Sequence, residues 1–307
     1  MAWVRVFAPA TVANLGPGFD VLGLAVDGRG DVVEARSIDR SDVIIEEITG
    51  DDGRLSRDAA KNTAGVAARE TLKIIGATGG VALKLHKNMP LGSGLGSSAA
   101  SAAAAAWAVA ALHGFNDKSA LMPAGLAAEA AVSGYHADNV APSLLGGMVL
   151  IAGYHPLRMQ SLPVPNNLVM ALVTPKHEVP TARARAVIPQ KIPLEKIVAN
   201  SGNLAAMVAA CFADDVAAFG RAVVDAIIEP ARAGLIPGFA AVKAAALDAG
   251  AFGCSISGAG PTVFAVCDSE AAGEQVAQAM QSAFLQAGLA SSAQIVRPDL
   301  TGARVLS

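Results

Sequence analysis

The stretch Pro90-Leu-Gly-Ser-Gly-Leu-Gly-Ser-Ser98 constrains this chain more than any other. Three glycines alternate with other residues, two hydroxyls follow, and a run of strong helix formers begins at Ala99. Glycines let a backbone turn tightly and approach a ligand closely. Unpaired N–H groups at a helix start carry partial positive charge and favour phosphate. A hydroxyl there can also ligate Mg²⁺. The loop is not a Walker A motif, which would need Gly at position 97 followed by Lys, and it is not the GxGxxG dinucleotide fingerprint. Read from spacing alone, its alternative is a plain glycine turn with a serine cap.

Two more glycine loops flank it in the chain. Asn14-Leu-Gly-Pro-Gly-Phe-Asp20 brackets a stiff turn with polar ends, and brings Asn14 and Asp20 near one another. Ser257-Gly-Ala-Gly-Pro261 lies between two apolar strands, where a hairpin turn is the simple reading.

Around these loops the periodicity predicts mixed elements. Strands are expected at 2–8, 21–26, 31–36, 42–48 and 81–89, and helices over 58–75, from Ala99, and over 123–132. Residues 134–153 read as a polar turn, a helical turn and a strand. A proline-rich shift at 154–167 marks a domain boundary, giving domains 1–157 and 158–307. Beyond it come a strand at 168–174, helix over 196–219 continuing through 221–228 to a break at Glu229-Pro230, helix over 238–249, strand–turn–strand over 253–267, helix over 271–287 and a last strand near 293–298. Without a regular βα repeat the class is α+β.

Composition removes whole classes of function. Lys plus Arg is 23 against Asp plus Glu 26, a net charge of -3 that gives no reason to expect nucleic acid or an anionic membrane. With 53% hydrophobic and 16% charged residues the chain can bury a core. Cys211, Cys254 and Cys267 form no CxxC and leave an odd thiol, so they read as buried thiols in a reducing compartment. The N-terminal apolar stretch is too interrupted for a signal peptide, and Ala99 to Leu112 falls short of the roughly 20 residues that span a bilayer. A cytoplasmic protein is expected.

Together and in this order, the three loops resemble the motifs of the GHMP kinases. PLGSGLGSSAASAAAA resembles the family's phosphate loop and following helix, and SISGAGPTVFAV its C-terminal glycine motif. NLGPGFD and YHADNVAPSLLGG are similar to the corresponding segments of the homoserine kinases within that family. The resemblance runs from Pro9 to Val266. It implies two domains, an N-terminal one with a left-handed βαβ unit and a C-terminal ferredoxin-like one, with the active site between them. It also implies ATP and Mg²⁺, and transfer of the γ-phosphoryl group to the side-chain hydroxyl of L-homoserine, giving O-phospho-L-homoserine.

The site residues follow from the resemblance, position by position. Pro90, Leu91, Gly92, Ser93, Gly94, Leu95, Gly96, Ser97 and Ser98 would hold the phosphates, with Asn62 and Lys87 at base and ribose. Ser98 and Glu129 would ligate Mg²⁺. Arg185, with Thr181 four residues earlier and Arg183 as a register competitor, and Arg232 would hold the substrate carboxylate, because a guanidinium fork matches it. Asp20 and Asp138 would hold the ammonium, in the company of Asn14 and His136. Asp138, Asn139, Thr181 and Arg185 are expected at the reacting centre. In mevalonate kinases the segment like HADN supplies an Asp that takes the hydroxyl proton; in homoserine kinases the resemblance implies that these side chains bind substrate and no dedicated base is needed. The rival readings are a kinase for another alcohol such as mevalonate, and a non-catalytic binding protein on this scaffold. Ser98 and Glu129 count against the second. A homodimer is an analogy with the family only.

Overall fold

The computed structural model describes residues 2–132 and 134–306. The first sheet has seven strands among the described residues. It begins with β1 (Val4–Ala13), which pairs antiparallel with β2 (Leu22–Ile38). The two strands expected at 21–26 and 31–36 are one continuous β2. Its polar middle does not turn, because a register shift at Pro9/Ala10 and the positive φ of Gly28 (81°) let the pair bend without breaking. β3 (Val43–Thr49) and β4 (Gly80–His86) run parallel, and the chain crosses between them through α1 (Thr63–Ile74). The expected helix over 58–75 is interrupted at Asn62, which is extended and caps α1 by accepting from the Ala64 N–H.

α2 (Ser97–Leu112) is buried on nearly every side. Its alanines let α1 and the β1–β2 pair approach closely, which is why this stretch carries no polar stripe. α3 (Met122–Ala130) and α4 (Val140–Leu145) complete the layer. β5 (Met148–Tyr154) and β6 (Leu157–Leu162) form a hairpin joined to β2. The boundary expected at 157/158 therefore falls inside a hairpin of the first sheet. The chain changes sheets between Leu162 and Val169, where Pro163 and Pro165 exclude a regular ladder.

The second sheet has the order β10-β7-β9-β8, from β7 (Val169–Pro175), β8 (Gly253–Ile256), β9 (Val263–Cys267) and β10 (Ser291–Val296), with neighbours antiparallel. Between β7 and β8 lie α5 (Thr181–Ala186), α6 (Leu194–Ala213), α7 (Val216–Arg221), α8 (Ile228–Arg232) and α9 (Phe239–Asp248). α10 (Glu270–Gln286) joins β9 to β10. This is the expected ferredoxin-like order. The helix expected over 196–219 is split by Asp214, whose φ is 55°, and Asp215 caps α7. Residues 222–227 are not helical, contrary to expectation. Asp225 instead accepts from the N–H groups of Ile227, Ile228 and Glu229, starting α8, and Pro230 sits harmlessly in its first turn.

Both faces of the second sheet are covered. Met170, Leu172, Phe264 and Val266 join α6, α7 and the first domain in one core. Val169, Ala171, Val173 and Ala265 join α9 and α10 in the other. The near-continuous apolar reading of these strands follows from that double burial. After β10 the chain returns: β11 (Arg304–Val305) pairs with β1, so the first sheet also takes the last residues. All three cysteines are buried and free, and burial pushes the Cys211 and Cys267 thiols up to about 11.

Candidate active site

A cavity of about 440 Å³ opens between the two domains, and all three glycine loops reach it. Loop 90–98 forms its floor. Gly92, Gly94 and Gly96 all have positive φ, at 67°, 82° and 69°, so the alternating glycines answer an alternating backbone. The loop's carbonyls turn into the protein. Ser93 O accepts from the N–H and hydroxyl of Thr262, Gly94 O from the Ser257 hydroxyl, and Leu95 O from the Thr11 N–H. Among the described residues, none accepts from the main-chain N–H groups of residues 92–99. The amides therefore form a row of unpaired donors at the N-terminus of α2, as anion binding requires.

The two serines that end the loop separate in role. The Ser98 hydroxyl donates to Glu129 Oε1 at 3.1 Å; Glu129, on α3, is 1% exposed. A hydroxyl and a buried carboxylate beside unpaired amides are hard oxygen donors of the kind Mg²⁺ takes. Ser97 turns the other way and donates to Asp31 at 3.1 Å.

Asp31 is the residue that sequence reasoning missed. It lies in β2, fully buried, and its carboxylate takes the Lys87 ammonium, the hydroxyls of Ser97 and Ser101, and the Asn88 N–H. Lys87 spends its other donors on Ser97 O and the Ser101 hydroxyl. Burial pushes the Lys87 amine down and Asp31 pulls it back. With three donors used, Lys87 is not left with a free N–H for a ribose; it ties the start of α2 to the sheet. Asn62 lines the cavity, yet its amide is likewise engaged, with Ser56 O and the Ala64 N–H. Removing one partner of a buried ion pair typically costs about 3–5 kcal/mol. Lys87→Met is expected to lower unfolding free energy by about that much, and Lys87→Met with Asp31→Asn to recover a large part of it. Urea melts of the three proteins check this, and equal stability of Lys87→Met and the parent would contradict it.

The far end of the cavity belongs to loop 14–20. Asn14, Leu15 and Asp20 have positive φ without being glycine, a local strain that surrounding bonds must hold. Asn14 accepts from the Asp20 N–H and donates to Gly258 O, linking the first and third glycine loops. Tyr154 donates to Asp20 O at 2.6 Å and accepts from the Ala137 N–H at 3.0 Å, linking loop 14–20 to the YHADN segment. Phe19 lies against both expected arginines, with Arg185 Cζ 5.6 Å and Arg232 Cζ 5.1 Å from its ring centre.

Charges alternate around this end. Arg185 makes a two-pronged pair with Asp20, at 3.0 and 2.9 Å. Arg183 is exposed on the other side of α5, whereas Arg185 lines the cavity. Arg232 is buried and donates to Ala184 O and Gly258 O; burial and Arg185 push its guanidinium down. Asp138 accepts from His136 Nδ1 at 2.8 Å. Burial works against the imidazolium, but the bond and charge of Asp138, with Glu129 and Asp20, raise the His136 pKa overall. Asn139 accepts from the Thr11 hydroxyl at 2.8 Å. Thr181 opens α5 at the cavity wall. Two buried nitrogens here have no partner among the described residues, His136 Nε2 and Arg185 Nε. Both lie near Gly134, 3.9 and 3.8 Å from the point where a Cβ would stand.

Comparison with known proteins agrees with this geometry. Residues 60–147 match the family model "GHMP kinases N terminal domain" and residues 207–286 match "GHMP kinases C terminal". The chain is 52% identical over 313 aligned positions to a homoserine kinase of Arabidopsis thaliana, covering 99% of this chain and 85% of that one. It is 45% identical to a homoserine kinase of Chlorobaculum tepidum, covering 100% and 99%. The crystal structure of homoserine kinase from Cytophaga hutchinsonii superposes with a TM-score of 0.96 at 46% identity, covering 100% and 98%. A mevalonate kinase structure shares the fold alone, with a TM-score of 0.67 at 14% identity. The ordered glycine loops, the two-domain fold and these likenesses agree: the chain belongs to the GHMP kinase family, among its homoserine kinases.

Proposed function

We propose that the chain transfers the γ-phosphoryl group of ATP to the side-chain hydroxyl of L-homoserine. The observation that carries this is the row of unpaired amides over residues 92–99 facing, across one cavity, a cluster with both carboxylates and guanidinium groups. Phosphoryl transfer asks a protein mainly for positioning and charge stabilisation. The amides and the α2 dipole bind the phosphates. Ser98 and Glu129 fit Mg²⁺, which when bound there would neutralise charge developing on the transferred group.

A zwitterion suits the other end. Arg185 and Arg232 take its carboxylate, and the unpartnered Nε atoms of Arg185 and His136 offer further donors. Asp20 and Asp138 take its ammonium. Asn14, Asn139 and Thr181 surround the space between, where the hydroxyl meets the phosphate. Asp138 already accepts from His136, which supports a binding role over that of a general base; a loose transition state leaves the hydroxyl proton in place until late.

A coupled assay of ADP release with L-homoserine, L-serine, L-threonine and mevalonate tests the reading. Homoserine is expected to exceed mevalonate in kcat/KM by about 10⁴-fold, since mevalonate brings no ammonium to meet Asp20 and Asp138. Equal turnover of both would overturn it. Asp138→Asn is expected to raise KM for homoserine at least as much as it lowers kcat. The same change removes what holds His136 charged. A raised folded pKa stabilises below the unfolded value of about 6.5 and loses that contribution as pH rises through the folded one. The parent's melting temperature should therefore fall more steeply than the variant's above about pH 6.5.

A further inference from the structure

Taking the cavity as an ATP site, as proposed above, we infer that Arg54 is a ligand of the nucleotide's phosphates, and that Glu178 holds its guanidinium at the mouth until ATP takes it over. A polyphosphate carries several negative charges, and proteins that transfer phosphoryl groups meet them with cations as well as amides. The cation nearest to hand in sequence does not serve the amide row over residues 92–99. Lys87 gives its donors to Asp31, Ser97 O and the Ser101 hydroxyl. Arg185 and Arg232 stand at the other end, with Asp20 and Phe19. Among the described lysines and arginines that line the cavity, Arg54 and Lys61 remain.

Arg54 is the better placed of the two. Its backbone is anchored: the Arg54 N–H donates to Asp51 O at 3.1 Å, and the buried Asp51 carboxylate accepts from the Leu55 N–H at 3.0 Å. Asp52 and Gly53, both left-handed at φ 53° and 71°, close this turn. From it the guanidinium crosses to the second domain and makes a two-pronged pair with Glu178, at 2.8 and 3.0 Å. Glu178 immediately precedes Val179 and stands three residues before Thr181, both of which line the cavity, so the pair spans its mouth. The fork that matches the two oxygens of Glu178 also matches two oxygens of a phosphate. The side chains of Arg54 and Glu178 are 50% and 57% exposed, and a solvated pair of single charges is weak. A multiply charged phosphate is therefore the stronger partner for the same guanidinium. Lys61 is a point charge on a flexible stem, 75% exposed and 3.6 Å from Asp58.

The exchange makes Glu178 a competitor of ATP, and this gives the two residues opposite signs. Calorimetric titration of the full chain with ATP and Mg²⁺, in the absence of any alcohol, reads both. Arg54→Met is expected to raise the Kd for ATP about tenfold and to leave that for adenosine unchanged. Glu178→Gln is expected to lower the Kd for ATP about two- to threefold, and most of that gain should disappear in the Arg54→Met background. Lys61→Met should change the Kd for ATP less than Arg54→Met does. An Arg54→Met protein within twofold of the parent, an equal loss of adenosine affinity, a Glu178→Gln protein that binds ATP no better than the parent, or a larger loss in Lys61→Met would each overturn the assignment. If Arg54→Met fails to fold, Glu178→Gln decides, because it keeps the shape of the side chain and removes only its charge. A parent that binds no ATP would refute the reading of the cavity; a parent that binds ATP, with Arg54→Met unchanged, would refute the role of Arg54 alone.

Discussion

Gly96→Ala is expected to lower kcat by on the order of 10²-fold and to destabilise the protein by about 2–5 kcal/mol. Two costs combine. The residue sits at φ 69°, where a Cβ costs about 1–2 kcal/mol. That Cβ would also stand 2.1 Å from the Thr11 hydroxyl oxygen and 2.8 Å from Asn139 Oδ1, in the middle of their hydrogen bond, and overpacking of this kind typically costs about 1–3 kcal/mol. Relief requires β1 or the start of α2 to shift. Either movement displaces the amide row, and a misplacement near 1 Å can cost about 10²-fold in rate. Gly114 separates the two costs, because its φ is 71° but nothing lies within 4 Å of its Cβ position. Gly114→Ala should lose only about 1–2 kcal/mol and keep its activity. Thermal melts and initial rates of both variants check the contrast; equal activity in the two would contradict the close-packing argument.

Arg185→Met is expected to raise KM for homoserine by about 10²–10³-fold with a smaller change in KM for ATP. Its guanidinium does two jobs. In the proposed reading it supplies the fork for the substrate carboxylate, and hydrogen bonds to charged groups contribute about 1.5–3 kcal/mol each. It also makes the two-pronged pair that holds Asp20 on its strained loop. Methionine keeps the length of the stem and removes both. Arg185→Lys should recover only part of the loss, since a point charge cannot make the paired contact. Steady-state kinetics with each substrate varied in turn measure the split. A KM for ATP that rises as much as that for homoserine would mean that Arg185 serves the nucleotide instead.

What could be read along the chain was what is written locally. Each glycine loop carries its own turn chemistry within nine residues or fewer, so all three were legible and all three reach one cavity. Asp31 was not, because nothing near it in sequence announces a partner; Lys87 lies 56 positions away. The same distance hid the true position of Lys87, which looks like a surface cation beside the loop until Asp31 is seen beneath it. Residues 222–227 misled for a different reason. Their composition suits a helix, but Asp225 offers the backbone a better local bond, and tertiary context decides. The β5–β6 hairpin shifted the boundary because proline marks irregular backbone without saying which sheet owns it.

The bonds that hold loop 90–98 come from both halves of the molecule. Thr11 belongs to the first sheet, and Ser257 and Thr262 to the turn that joins β8 and β9 of the second; the Gly258 N–H further donates to Ala13 O, closing the seam. The back of the cleft is thus sewn shut by the very contacts that aim the amides. A clamshell motion would break the bonds that hold the phosphate loop. Traffic passes over the lip, where the solvent-exposed Arg54–Glu178 pair (2.8 and 3.0 Å) is the cheapest bridge between them to undo. Parting that one exposed pair would widen the mouth of the cavity while leaving the bonds behind the phosphate loop in place.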